Sequence, residues 1–303
     1  MNIPFTTIEG WYAKGIFWLE PIAQRLHEII LQHDYMQLDE STLKVMVKPT
    51  RGKSHKGYMI LCNSPELNIV TFHYRRTRNE KLIAELVGPD YQGILQSDGL
   101  KLYLQFDTWD GIIHAGCGAH ARRYFKEALK TDRNRAEVVL DMWQSLFKIE
   151  ATARENNLDP EERLQLRQDL SLPIMNNLKE WLEDNKAAAT PKNPIRKAIA
   201  YSLNRWEALT RFLHDGRIEI SNNLIENRVR PLALGRKNWM FAGSAEGARR
   251  LATGYTVMGT CILNGLNPFD YTTSVLEQLP ARKAGDIDDL LPINWSPTSK
   301  KQI

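Results

Sequence analysis

The change of hydrophobic period along the chain constrains its fold more than any other feature. Residues 36–48, MQLDESTLKVMVK, alternate with a period of two, as a strand with one buried face does. YMILCN (58–63) and NIVTFHY (68–74) are two more apolar, β-branched runs, with a basic turn, PTRGKSHKG (49–57), before the first of them. Three consecutive strands with short links imply an antiparallel meander, because a parallel crossover needs a dozen or more residues. The period then becomes helical in RRTRNEKLIAELVG (75–88), closed by Gly88 and Pro89. GILQSDG (93–99) is a short apolar strand. After a short helix, WDGIIHAG (109–116) is another strand, and AHARRYFKEALK (119–130) another helix. The order βββ-α-β-α-β-α predicts a mixed α/β sheet with helices outside it.

Residues 131–214 abandon that alternation. They are helical in period almost throughout, apart from a loop, AAATPKNP (187–194). Their last helix, IRKAIAYSLNRWEALTRFLHDG (195–216), is stopped by Gly216. Residues 7–33 place Trp11, Ile16, Leu19, Ile22, Leu26, Ile29 and Ile30 in an amphipathic pattern, with Pro21 as the expected break. Closing helices are expected over 248–278, and a loose tail of mixed charge, Pro and Ser beyond Pro280. The expected divisions are therefore an N-terminal helical segment (1–35), a first part of the sheet core (36–130), an all-helical insertion (131–218), a second part of the core (219–278) and a tail (279–303). A chain of 303 residues, 43% hydrophobic, can bury a sizeable core on that plan.

Composition removes several function classes. Cys62, Cys117 and Cys261 are too scattered for a disulfide framework or a paired metal motif. The N-terminus has no charged region followed by an apolar core, so no secretory signal is expected. Residues 251–269 lack charge, but their Thr, Gly and Asn content is too polar for a membrane span. A cytosolic protein with no membrane partner is expected. The net charge of +4 is unevenly placed: residues 228–250 hold six cations (Arg228, Arg230, Arg236, Lys237, Arg249, Arg250) and one acid (Glu246). That stretch carries +5 and leaves −1 for everything else, which points to a polyanionic partner.

The same stretch, ISNNLIENRVRPLALGRKNWMFAGSAEG (220–247), reads as a short basic helix followed by a glycine-punctuated basic loop. Ser221 is the expected N-cap and Gly235 the expected stop. Ile225, Val229 and Leu232 share an apolar face, while Asn222, Glu226 and Arg230 share another. Glu226 either pairs with Arg230, as on any solvated helix, or serves a site. Asp39 within the first strand and Asp98 at the end of the fourth suggest the latter, since those strands can be sheet neighbours with Asp98 at a carboxyl edge. Two Asp and one Glu supply only hard oxygen ligands, which suit Mg²⁺ or Mn²⁺, and two such ions promote phosphodiester chemistry. Glu40 points to the opposite strand face, and Asp107 and Asp110 flank a turn where solvated Asp is ordinary.

Other clusters read either as solvated surface or as nucleic-acid contacts. His114, Cys117 and His120 make H-x2-C-x2-H, with no fourth ligand nearby to complete a zinc site. His120 with Arg122 and Arg123 fits a phosphate-facing helix start. The turn cations Arg51, Lys53, His55 and Lys56, and the run Arg75, Arg76 and Arg78, suit a phosphate backbone. Trp239 can stack on an unpaired base or close a core.

These residues also carry a resemblance. SNNLIENRVRPLALGRKNWMFAGSAEGARR resembles the segment around the catalytic glutamate of DDE transposases of insertion sequence family sixty-six. LDESTLKV followed by RGKSHKGYM is similar to the segment of that family's first Asp, GILQSDGLKLY to that of its second, and CGAHARRYF to its CWAHARRKF element. NRWEALTRFLHDGRIEISNN matches too, and the resemblance extends over about residues 7–295.

It implies an RNase H-like fold with a helical insertion before the last catalytic helix. It also implies a bacterial protein working on DNA at the nucleoid. Asp39, Asp98 and Glu226 become the metal-binding triad, holding Mg²⁺ or Mn²⁺, two ions in all. His120, Arg122, Arg123, Arg228, Arg230, Arg236, Lys237 and Trp239 become the DNA-binding set. The implied chemistry is cleavage at the element's ends, then strand transfer to target DNA by a homo-oligomer, with helper proteins of the same element as further partners. Ser221 stands where the family has Asp, and Gly118 where it has Trp, a change expected to leave a hole or an exposed backbone. The family's usual zipper-like helix, cysteine-rich zinc-binding segment and helix-turn-helix are not matched. A truncated DNA-binding remnant is therefore one alternative, and an RNase H-like nuclease the other.

Overall fold

The computed structural model describes residues 3–47, 52–187, 193–283 and 285–296. Arg51 of the basic turn lies outside them, as do most of the 187–194 loop and the last residues of the tail. The chain forms two compact units, Met1–Tyr91 with Leu224–Ile303, and Gln92–Asn223. Six strands, paired in both senses and flanked by helices, make a mixed α/β fold of the RNase H-like type.

In the first unit, helix α1 (Phe5–Gln32) buries Ile16, Leu19, Ile22, Leu26 and Ile30. It runs unbroken through Pro21, against expectation. The bond that proline removes would reach the carbonyl of Phe17, a residue 62% exposed, where water can take its place. Strands β1 (Tyr35–Met46), β2 (Ser54–Ser64) and β3 (Ile69–Arg75) form the expected antiparallel meander. β2 starts earlier than expected: His55, Lys56 and Gly57 of the basic turn pair with Val45, Lys44 and Leu43. Helix α2 (Glu80–Val87) likewise begins later, because Arg75 belongs to β3; Asn79 caps it by accepting from the Leu82 amide at 2.9 Å.

The second unit opens with a parallel pair, β4 (Gly93–Gln96) and β5 (Ile112–Ala115), joined through a 3-10 helix over Lys101–Thr108. Helices α3 (Gly118–Ala128), α4 (Arg133–Glu155), α5 (Pro160–Leu166), α6 (Leu172–Asn185), α7 (Pro194–Asn204) and α8 (Trp206–Thr210) follow. The helix expected over 195–216 is interrupted at Arg205, whose backbone leaves the helical region while its side chain is drawn onto Asp107 at 2.5 Å. Gly216 sits so close to the Pro160 carbonyl that no side chain fits there. No hole surrounds Gly118. The ring of Trp143 fills the space, 2.6 Å from where a Cβ would lie, and the Gly118 amide donates to the Ile220 carbonyl at 2.9 Å.

The chain returns to the first unit with α9 (Asn223–Trp239), β6 (Phe241–Ala242), α10 (Ala245–Leu263) and α11 (Pro268–Gln278). Helix α9 buries Ile225 and Leu232, as their spacing predicts, but it starts beyond Ser221 and passes through both Pro231 and Gly235. Gly235 is therefore no stop. A Cβ there would meet the Tyr255 hydroxyl at 2.6 Å and the Trp239 indole nitrogen at 2.7 Å, so its role is close packing. The helix ends instead at Met240, left-handed at φ 53°, and β6 then pairs parallel with β1 where a loop was expected.

Leu43, Val45, Met59, Leu61, Val70 and Phe72 line one face of the meander and pack against Ile225, Leu232, Ala248 and Ala252. On β3, Thr256 accepts from the Phe72 amide at 2.8 Å, and Thr260 bonds both the amide and the carbonyl of Val70. The polarity that argues against a membrane span in 251–269 thus serves the backbone of β3. No helix among the described residues is long and apolar enough to cross a membrane. The tail is not loose as far as Trp295: Ile287, Leu290 and Leu291 are buried, and Trp295 meets the Tyr271 ring edge-on at 5.5 Å.

Candidate functional site

Asp39 lies mid-β1, opposite Leu61, in a register that runs without a bulge from Gln37 to Met46. Strand alternation therefore puts Asp39 on the face of Leu43 and Val45, the face against which Ile225 packs. Glu226, next to Ile225, is exposed in the first turn of α9. The Arg230 guanidinium bonds Asn227 at 2.9 Å. Glu40 points to the other face, as expected, and pairs with Arg78.

Asp98 stands two residues beyond β4. One of its carboxylate oxygens accepts from the Leu100 amide at 3.0 Å, and the other lies 3.8 Å from His120 Nε2. His120, in the first turn of α3, has its Nδ1 3.2 Å from Cys117 Sγ. His114 stays out of that group, so the three residues of H-x2-C-x2-H do not converge as one ligand set. Arg122 is half-buried and Arg123 exposed on α3. Asp39 is held in the same manner as Asp98, one oxygen accepting from the Glu40 amide at 2.7 Å. Both rotamers are thereby set by the local backbone.

The cations of the first unit divide into paired and available groups. Arg249 and Arg250 pair with Glu246 at 3.0 and 3.6 Å. Arg228 is half-buried with its Nε lacking a partner, and burial lowers its pKa below the usual arginine value. Arg236 donates to the Thr42 carbonyl and joins Lys44, His55, Lys56 and Met240 around an open cleft of about 540 Å³. No acid among the described residues lines that cleft. Lys44 was not singled out from the sequence, because it lies in a strand far from the basic stretch and meets Arg236 only through the fold. Lys237 is exposed, and Trp239 packs half-buried on the core.

One group departs clearly from expectation. Asp107 is not an ordinary solvated turn acid: it bonds His114 at 2.7 Å and Arg205 at 2.5 Å. Burial raises its pKa, but the bonds from His114 and Arg205 outweigh that and hold it below the usual carboxylate range.

The mixed α/β fold is of the RNase H-like type, and comparison with known proteins narrows the class. Residues 1–250 match the model of the Transposase IS66 family, and residues 256–293 match the IS66 C-terminal element. The chain belongs to the IS66 transposase family. It is similar to the uncharacterized protein y4qI of Sinorhizobium fredii, 32% identical over 95% of this chain and 56% of the relative. It is also similar to y4hP of the same organism, 36% identical over 70% of this chain and 41% of the relative. The chain thus spans little more than half the length of these relatives at most.

Proposed function

We propose that this chain is the catalytic part of a transposase that cuts DNA at the ends of an insertion sequence and joins them to a target. Asp39, Asp98 and Glu226 are its metal-binding acids. The observation that carries the reading is that Asp39 faces the side of β1 on which α9 packs, and α9 carries Glu226 in its first turn. The donor set is all carboxylate, which fits Mg²⁺ or Mn²⁺, and two of its members have rotamers held by backbone amides. Bound divalent ions would lower the pKa of an attacking water or hydroxyl and stabilise the leaving oxygen.

The chain's own residues hold the DNA. Arg228, Arg230, Arg236 and Lys237 on α9 follow Glu226 directly, and Lys44, His55 and Lys56 extend that cationic surface. On the second unit, His120, Arg122 and Arg123 offer the first turns of α3 to phosphate. The reading includes a homo-oligomer on DNA, helper proteins of the same element and a place with the bacterial nucleoid.

The test is strand nicking and joining of labelled element ends in Mg²⁺ or Mn²⁺. Asp98→Ala and Glu226→Gln are each expected to lower the rate by at least a hundredfold without loss of DNA binding. Full activity in either variant would overturn the assignment. Salt-sensitive binding with no metal-dependent cleavage would establish a DNA-binding remnant instead, and equal cutting of unrelated duplexes a nuclease.

A further inference from the structure

The residue just before Asp98 belongs to a hydrogen-bonded chain that the proposed chemistry leaves unused. Ser97 is fully buried, and its hydroxyl lies 2.8 Å from His114 Nε2 and 3.0 Å from the Asp98 carbonyl oxygen. His114 is 5% exposed; its Nδ1 lies 2.7 Å from Asp107 Oδ1. Arg205 Nη1 donates to the other oxygen of Asp107 at 2.5 Å, and Nη2 lies 3.4 Å from His114 Nδ1. Ser–His–Asp is the order of a nucleophilic triad, but a serine with no solvent exposure cannot meet a substrate. The chain ends on the peptide of a proposed metal ligand, not on an open site.

Proton counting shows what the chain does. Asp107 is ionised and only accepts, so His114 Nδ1 carries a proton toward it. The Ser97 hydroxyl has one proton for two acceptors. With His114 neutral, Nε2 is a bare acceptor and draws the hydroxyl proton, so the Asp98 carbonyl loses its donor. With His114 protonated, Nε2–H donates to Ser97 and the hydroxyl turns to the Asp98 carbonyl. All three contacts are then satisfied together.

We infer that His114, oriented by Asp107 and Arg205, is a positioning residue for Asp98 and acts through the Ser97 hydroxyl. This rests on the reading of Asp98 as a metal ligand only for its consequence; the hydrogen-bond chain itself can be tested without metal. Burial lowers the pKa of His114 and Arg205 lowers it further, while the bond to Asp107 and the nearby Asp98 charge raise it; the net direction is down. Glu207 and Arg211 line the same 170 Å³ cavity as Asp107, His114 and Arg205, and add one charge of each sign. The hydroxyl therefore faces His114 at neutral pH and turns to Asp98 as the pH falls below the ordinary histidine range.

The experiment follows the Leu100 amide, which donates to the Asp98 carboxylate, by hydrogen exchange in the metal-free full chain between pH 5 and 8. In the parent chain its protection, corrected for intrinsic rate, is expected to rise on acidification by about fivefold, the equivalent of roughly one hydrogen bond. His120 Nε2 also faces Asp98, at 3.8 Å, and it is present in the parent and in the Ser97→Ala chain alike. The difference between the two chains isolates the Ser97 route. Ser97→Ala and His114→Gln are both expected to lose that extra rise. In Ser97→Ala, half-saturation by Mn²⁺, read from the spin resonance of the free ion, should need about fivefold more metal. Leu100 protection and Mn²⁺ binding that match the parent in both variants would overturn the inference. Absence of Mn²⁺ binding in the parent would instead count against the proposed function, while the exchange data still judge the positioning role.

Discussion

The two units handle polar groups in opposite ways. In the first, the interior is an apolar sheet face served by neutral polar side chains: Thr256 and Thr260 on the backbone of β3, and His27, Thr71 and His73 on the opposite face. In the second, charge itself is buried. Glu150 and Arg167 are both fully buried, paired at 2.7 Å, with Arg163 on the same carboxylate and on Glu219. Arg167 also donates to the carbonyls of Phe212, Asp215 and Ile218. A sheet supplies its own long-range order through backbone pairing. Helices satisfy their backbone locally, so the irregular segment 212–218 needs a side chain to take its carbonyls. A guanidinium with five donors does that, and Glu150 neutralises it.

Removing Arg167 should therefore produce the largest effect. Arg167→Leu leaves Glu150 buried with only Arg163 and strips three carbonyls of a donor. A loss of about 3–5 kcal/mol is expected in urea unfolding. Thr256→Val, the counterpart in the first unit, leaves one buried amide unpaired and should cost about 1–3 kcal/mol. If the threonine change equals or exceeds the arginine change, the contrast between the units fails. Gly118→Ala comes next: its Cβ would overlap the Trp143 ring, and about 1–3 kcal/mol is expected, relieved when Trp143 is also replaced by Leu. Equal costs in both backgrounds would mean that the clash with the Ile220 carbonyl dominates.

What was legible in the sequence follows from the range of the forces involved. β1, β2 and β3 were readable because a period of two reports a single buried face. The apolar face of α9 was readable for the same reason at a helical period. β6 was not, since two residues carry no period and its pairing depends on Met240 adopting a left-handed backbone. Gly235 was misread because a glycine that ends a helix and one that admits a neighbouring ring look alike before Tyr255 is placed. The elements bearing Asp39, Asp98 and Glu226 could be named from pattern and resemblance. The roles of Ser97, Asp107 and Arg205 could not, because 98 residues separate Asp107 from the arginine that pairs with it.

The buried imidazoles of the first unit give a prediction in pH. His73 and His27 lie with ring centroids 4.3 Å apart, and burial lowers both pKa values, that of His73 strongly. The unfolded chain therefore binds protons near the ordinary histidine value while the folded chain does not. Stability is complete above about pH 6.5 and falls as the pH drops below it, by at most about 1.4 kcal/mol per pH unit for each histidine. Thermal unfolding between pH 7.5 and 5 should show that slope, and His73→Gln should flatten it. An unchanged slope in His73→Gln would shift the acid sensitivity to the paired carboxylates of the second unit, whose lowered pKa values lose their stabilising effect only at more acidic pH.

The smallest effect on stability belongs to the cleft of Lys44, His55, Lys56 and Arg236, and there the contrast between the units becomes functional. Lys44 and Lys56 are exposed, so truncating either should change stability by no more than about 0.5 kcal/mol. No acid among the described residues lines the cleft, whereas Arg163 and Arg167 of the second unit have donors already committed to Glu150 and Glu219. If this surface takes an external anion, its contribution shows in the salt dependence. Lys44→Ala, Lys56→Ala and Arg236→Ala should each reduce the slope of log Kobs against log salt by about 0.9 on duplex DNA, roughly additively. Arg163→Gln should leave that slope unchanged while lowering stability. A cleft variant with an unaltered slope would show that the phosphate backbone does not run there. DNA contact would then rest on the exposed turns of α9 that follow Glu226.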